Sequence, residues 1–273
     1  MRILVPFATI LAVACNVHAS QAHEFWIDPV DYTVAPGDPV IADLRVGEAF
    51  SGSAYSYIPQ RIRLFETAQG ADRTPVEMRM GDRPALSMSA PETPGLLAVL
   101  HVTTDNRLTY SDWDTFVRFV THKDAAWTLD AHAARGLSED GVVEIYSRYA
   151  KALVAVGTGA GQDRAYGLTT EIVALANPYA DDVSAGLPVQ VLYRDAPRPG
   201  AQVEVFDKAP GGAVAVTTLA ADSDGIAVVP VAPGHRYLID AVVLREPDPA
   251  RAEETGAVWE SLWASLTLEV PAD

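Results

Sequence analysis

"LSEDGVVEIYSRYAKALVAVG", residues 137–157, carries two periodicities in one run, and the fold turns on where the first gives way to the second. At 3.6 residues per turn, Val142, Ile145, Tyr146 and Tyr149 form one stripe, and Ser138 stands where an N-cap belongs. That spacing predicts a helix over 138–151. From Ala152 the short apolar run "ALVAVG" predicts a buried strand instead.

Upstream, "SDWDTFVRFVTHK" (111–123) sets Trp113, Phe116, Val117 and Val120 on one helical stripe, with Ser111 and Asp114 as a capping box. "AAWTLDAHAARG" (125–136) reads as a second short helix ending at Gly136. These three segments predict a helical insert over about 111–150. Before it lie short strands broken by Pro and Gly, among them "DPVIADLRVG" and the apolar "GLLAVLHVTT". After it, strands recur about every ten residues, as in a small antiparallel sandwich. The loop "EPDPARAEETG" (246–256) is polar and should be exposed. In the closing run "WESLWASLTLEV" (259–270), Leu262, Ala264, Leu266, Leu268 and Val270 alternate as a strand, whereas Trp259, Leu262, Trp263 and Leu266 also fit a helix. The expected fold is mainly β with a helical insert. It comprises two β-sandwich-like domains, over 23–180 and 181–273.

The first 22 residues read as a secretory signal. Arg2 precedes the apolar "ILVPFATILAVAC", too short to span a bilayer, and Ser20 and Ala22 fit cleavage before His23. Cleavage after Ala19 and lipidation at Cys15 are the competing outcomes, the lipoprotein being the lesser. Export to a periplasm is therefore expected. Cys15 is the sole cysteine, so the mature chain offers no disulfide, thiolate metal site or thiol nucleophile. The net charge of −16, or −17 once Arg2 is removed, speaks against nucleic acid as a partner.

No nucleophile elbow, zinc-protease motif, P-loop or dinucleotide fingerprint is present, so no enzymatic activity is expected. The chemistry lies with histidines. A mature chain starting at His23 would offer an amine nitrogen and an imidazole nitrogen from one residue, a chelate suited to Ni(II), Co(II) or Cu(II). Glu24 and Asp28 are near it in sequence. His101 falls in an apolar strand on the face of Leu97 and Val99. His235 stands at a turn in "APGHRY" and joins the site if that turn folds towards residue 23. The candidate metal set is thus His23, His101 and His235. His122 and His132 read as surface residues.

The opening "HEFWIDPVDYTVAPGDPV" (23–40), with "VGEAFSG" (46–52), "EIYSRYAKALVAVG" (144–157), "ALANP" (174–178), "DSDGIAVVPVAPG" (222–234) and "WESLWASLTLEV", resembles a bacterial periplasmic domain-of-unknown-function family associated with cobalt and nickel uptake. The resemblance spans nearly the whole mature chain. It implies an accessory protein that binds a transition metal and hands it to an inner- or outer-membrane transporter. His23 alone carries over as a ligand, through the His-Glu-Phe-Trp start. The Tyr146, Arg148 and Lys151 group resembles a family signature; Arg148 and Lys151 either anchor the helix or contact an anionic partner. From about residue 183 the chain also resembles a prealbumin-like or carboxypeptidase-regulatory-like sandwich, a likeness of fold that carries no activity. The other expectation is a non-catalytic envelope interaction or structural protein without specific metal binding, with Trp26, Trp259 and Trp263 as core or interface anchors.

Overall fold

Residues 143–156 form one unbroken strand. In the computed structural model, which describes residues 23–272, Val143–Val156 is fourteen residues long and runs through the centre of a ten-stranded sheet. The helix expected over 138–151 is therefore corrected. Gly141, at φ 66°, closes the preceding loop, and the segment after it is rich in β-branched and aromatic residues. Both faces of the strand are covered, so the period-two signal is lost and a helical stripe emerges by coincidence. The residues of that stripe separate in space. Tyr146 packs with Val142 beside the helices, whereas Tyr149 joins Val102, Val243 and Leu262.

The long strand gathers partners from the whole chain. It runs parallel to Trp259–Glu269, pairing Glu144 with Trp259 and Ala152 with Thr267. Its first half lies antiparallel to Asn106–Thr109 and its second half antiparallel to Gly95–Thr103. Beyond Trp259–Glu269 the sheet continues through Arg236–Arg245, Gln202–Lys208 and Val214–Ala220; beyond Gly95–Thr103 it continues through Ile62–Gln69 and Asp72–Pro75. The "WESLWASLTLEV" ambiguity thus resolves as strand. The sheet draws on strands from both sides of residue 180.

Each face of this sheet carries a smaller one, so the molecule is mainly β and built as sandwiches. Strands Glu24–Pro29, Pro39–Glu48, Ser51–Tyr55 and Leu86–Ser89 cover one face and bury Phe25, Ile27, Leu44 and Leu86 against Leu97, Val99, Ala152 and Val154. Strands Thr170–Ala174, Leu187–Tyr193, Ala196–Pro197 and Ile226–Val229 cover the other, enclosing Ile172, Val189 and Val229 with Leu100, Leu153, Ile239 and Leu266. Each of the larger side chains among them stabilises the fold by about 1.5–3 kcal/mol on burial.

The insert holds two helices. Helix α1 (Trp113–His122) is capped by Asp112, whose carboxylate accepts from Thr115 N at 2.7 Å; this replaces the expected Ser111 capping box, and Ser111 Oγ donates to Asp112 instead. Phe116 and Phe119 stack on Trp259 and Trp263. Helix α2 (Trp127–Ala134) contributes His132, which is buried and not superficial. Its Nδ1 accepts from Trp259 Nε1 at 3.1 Å, which leaves Nε2 to donate to the Ser138 carbonyl at 3.0 Å. The segment read as a loop contains a third, short helix, α3 (Pro249–Thr255), closed by Gly256 at φ 70°. Among the described residues no helix is long and apolar enough to cross a membrane. The expected signal, residues 1–22, lies outside the described residues, as does Cys15.

Candidate functional site

The first strand and the hairpin that follows it bring His23 to Glu48. The strands Glu24–Pro29 and Pro39–Glu48 pair with Glu24 opposite Gly47, which sets residue 23 against residue 48. The hairpin is tight because Gly47 and Gly52 meet face to face: a Cβ on Gly47 would lie 2.0 Å from the Ser51 carbonyl oxygen. Phe50, in the turn, packs edge-on against Trp26 at 5.6 Å. This explains the "VGEAFSG" motif physically. Its product is a His23 side chain about a third exposed, whose enclosed Nδ1 stands 3.1 Å from Glu48 Oε1 without a hydrogen bond. The neighbours in sequence point elsewhere. Asp28 takes the Arg45 Nε at 2.6 Å, and Glu24 turns inwards to Lys123.

A cleft opens beside this end of the strand. About 60 Å³ in volume, it is lined by Phe25, Leu44, Val46, Tyr55, His101 and Arg148 among others. His101 is 2% exposed and lies between the rings of Phe25 and Phe65, at 5.2 and 5.0 Å. Neither ring nitrogen has a partner, and burial pulls the imidazole down to about 3, so it is neutral at ordinary pH. Arg148 donates from Nη2 to the His23 carbonyl at 3.1 Å and lies over Tyr146 and Phe25 at 4.9 and 5.7 Å. Its Nε is unpartnered, and it forms no ion pair among the described residues.

On the same face of the sheet, Lys123 at the end of α1 meets three buried carboxylates. It is bonded to Glu204 and stands 3.4 Å from Asp240 and 3.5 Å from Glu24, with the Trp263 ring 4.8 Å away. Burial pushes Asp240 up to about 7 and raises Glu24. His122, on the rim, lies 2.9 Å from Glu204. These residues tie the first strand, α1 and the C-terminal strands together. Lys151, on the opposite face, is enclosed by Asp163 at 2.9 Å, Glu171 at 3.1 Å and the Arg164 carbonyl at 3.3 Å. Arg148 and Lys151 thus belong to different layers. The anchoring expected of them on a helix is made from a strand instead.

His235 stands apart. It is 2.6 Å from Asp207 and stacks on Tyr237, next to Arg236, which reaches the Val30 carbonyl beyond the far end of the first strand. The structure therefore links His101 to the start of the first strand through Phe25, with Arg148 reaching the His23 carbonyl, and leaves His235 at the other end of the sheet. Among the described residues no three His, Cys, Asp or Glu side chains are arranged to hold a metal ion. The residue that sequence reasoning missed is Glu48. The paired glycines of "VGEAFSG" were the available signal, since they mark a sharp reversal returning the chain to its start.

Among solved structures, the chain is similar to the tetra-tandem repeat from the extending region of a large adhesion protein. Identity is 10% over 91% of this chain and 50% of that one, at a TM-score of 0.22. It is also similar to the D0–D1 domain of intimin, at 13% identity over 90% of this chain and 97% of that one, with a TM-score of 0.19. The chain thus spans half the length of the adhesion-repeat structure. No curated protein matches it. The family model described as a domain of unknown function, DUF4198, matches residues 20–245, most of the strands and the whole insert, and the chain belongs to that family.

Proposed function

We propose that the protein is a non-catalytic periplasmic accessory protein that binds Ni(II) or Co(II) through a mature N-terminal His23 and passes it to a membrane transporter. The observation that carries this reading is the 3.1 Å approach of Glu48 to His23 Nδ1. Cleavage before His23 would add the α-amine, giving two nitrogens and a carboxylate oxygen in one place, a donor set suited to borderline divalent ions, Cu(II) included. The resemblance to the cobalt and nickel uptake family supports the choice of ion. His101 and His235 are not needed by this site.

The test is calorimetric titration of Ni(II) and Co(II) into exported protein whose intact mass begins at His23. One equivalent should bind. Glu48→Gln should weaken it at least tenfold, and one extra residue before His23 should abolish it. Absence of stoichiometric binding by the authentic terminus sinks the proposal.

One feature favours a second reading, an envelope interaction module. The sheet ends in Val214–Ala220, an edge strand without a charged residue, in which Val216 is 52% exposed. Such an edge presents unpaired backbone groups to another chain. A Val216→Lys variant that loses capture of an envelope protein while keeping its fold would favour this reading.

A further inference from the structure

Two buried polar side chains without partners line one small cleft. His101 has both ring nitrogens free, and Arg148 has a free Nε and no counter-ion among the described residues. Native interiors leave few polar groups in this state, because each costs the desolvation of a group that water would have served. A guanidinium with no carboxylate in contact is the costlier of the two, since arginine stays charged at every ordinary pH; Asp240 and Glu24, both held by Lys123, act on it only from a distance. Nearby aromatic rings soften that charge without cancelling it.

We propose that this cleft binds a small organic monocarboxylate, its carboxylate on Arg148 and His101 and its short apolar tail against Leu44, Val46 and Ile62. The sign of the ligand follows from Arg148: a metal cation on His101 would face its fixed positive charge, and the carboxylates whose field reaches Arg148, Asp240 and Glu24, stand on Lys123 and not in the cleft. Planar guanidinium and planar carboxylate match in two parallel hydrogen bonds. His101, neutral because it is buried, supplies one N–H donor and not a second charge. A volume of about 60 Å³ takes the anionic group and its first carbon, and the rest of a short hydrocarbon tail would lie along Leu44, Val46 and Ile62 at the open mouth. A doubly charged oxyanion would have no second cation at the floor and apolar walls on its remaining sides. The site is independent of metal binding at His23. The two share only the Arg148 contact to the His23 carbonyl.

The experiment is calorimetric titration of the metal-free mature chain with butyrate, its neutral analogue butyramide, and inorganic phosphate. A companion measurement follows the His101 ring nitrogens by NMR. Butyrate should bind one to one with a dissociation constant of about 1 mM or tighter, and it should shift the His101 ring signals. Butyramide should bind at least tenfold more weakly. Arg148→Gln should lose at least tenfold in butyrate affinity, and His101→Phe, which preserves the ring packing, should lose a smaller factor. The wild-type comparison of butyrate with butyramide decides the matter even if a variant fails to fold. Equal binding of butyrate and butyramide would make the cleft merely apolar. Phosphate binding as tightly as butyrate, or no saturable butyrate binding, would equally overturn the proposal. None of these outcomes touches the His23 titration, so the two readings fail separately.

Discussion

Arg148 and Lys151 sit three residues apart on one strand, and their surroundings are opposites. Lys151 has two carboxylates and a carbonyl within 3.3 Å and is sealed under the third sheet. Arg148 has a carbonyl and two aromatic faces, no carboxylate, and a cleft in front of it. A buried cation whose partners are all supplied by the fold serves the fold. One whose partners are missing is available to something outside it.

Four experiments press on this contrast. Lys151→Met should have the largest effect, because it leaves Asp163 and Glu171 buried without their cation, and breaking such a pair costs about 3–5 kcal/mol. Urea unfolding followed by Trp fluorescence measures it. Next comes Glu144, a buried carboxyl with hydroxyl donors, Tyr110 and Ser261, and no cation, pushed up to about 7 by burial. Unfolded, it loses its proton near 4.5; folded, near 7. Between those values the folded state holds the extra proton, so this group lowers stability as pH rises from about 4.5 to 7, by about 3 kcal/mol in full. Glu144→Gln should therefore stabilise the protein at pH 8, change it little at pH 4, and flatten the slope between. Thermal unfolding across that range checks the sign. Asp240, pushed up to about 7 from 3.8, adds to the same fall.

The smallest effect should be that of Arg148→Gln, within about 1 kcal/mol of wild type by the same urea assay, since it orphans no carboxylate. If it costs as much as Lys151→Met, the arginine is a structural cation and the contrast collapses. His101→Phe sharpens the comparison on the acid side. A neutral buried imidazole held at about 3 loses stability as pH falls below about 6.5, and removing it should flatten that limb.

Much of this was legible in the sequence. The signals at Trp113–Val120, at Gly136 and in "GLLAVLHVTT" became α1, the end of α2 and a strand buried on both faces. The run 138–151 misled because a strand covered on both sides carries apolar and polar residues without alternation, and chance then provides a 3.6 period. The site was half legible. His101 was read on the face of Leu97 and Val99, where it lies, yet its lack of partners depends on Phe25 and Phe65, supplied by other strands. Glu48 reached His23 through strand register, which no local pattern reports. Arg148 and Lys151 looked like one group because positions three apart share a face of the expected helix, whereas on the strand an odd separation sends them to opposite layers.

The parallel pairing of Val143–Val156 with Trp259–Glu269 has a consequence for how the protein comes to be. The central strand finds one flank only in a segment that leaves the ribosome more than a hundred residues later. Loop closure over that distance is slow, and no local contact can substitute for it. Until the last strand arrives, Val143–Val156 and Arg236–Arg245 each present an apolar, unpaired edge to the surrounding solution. The sheet therefore closes only when its final strand is inserted between two halves that were open until then.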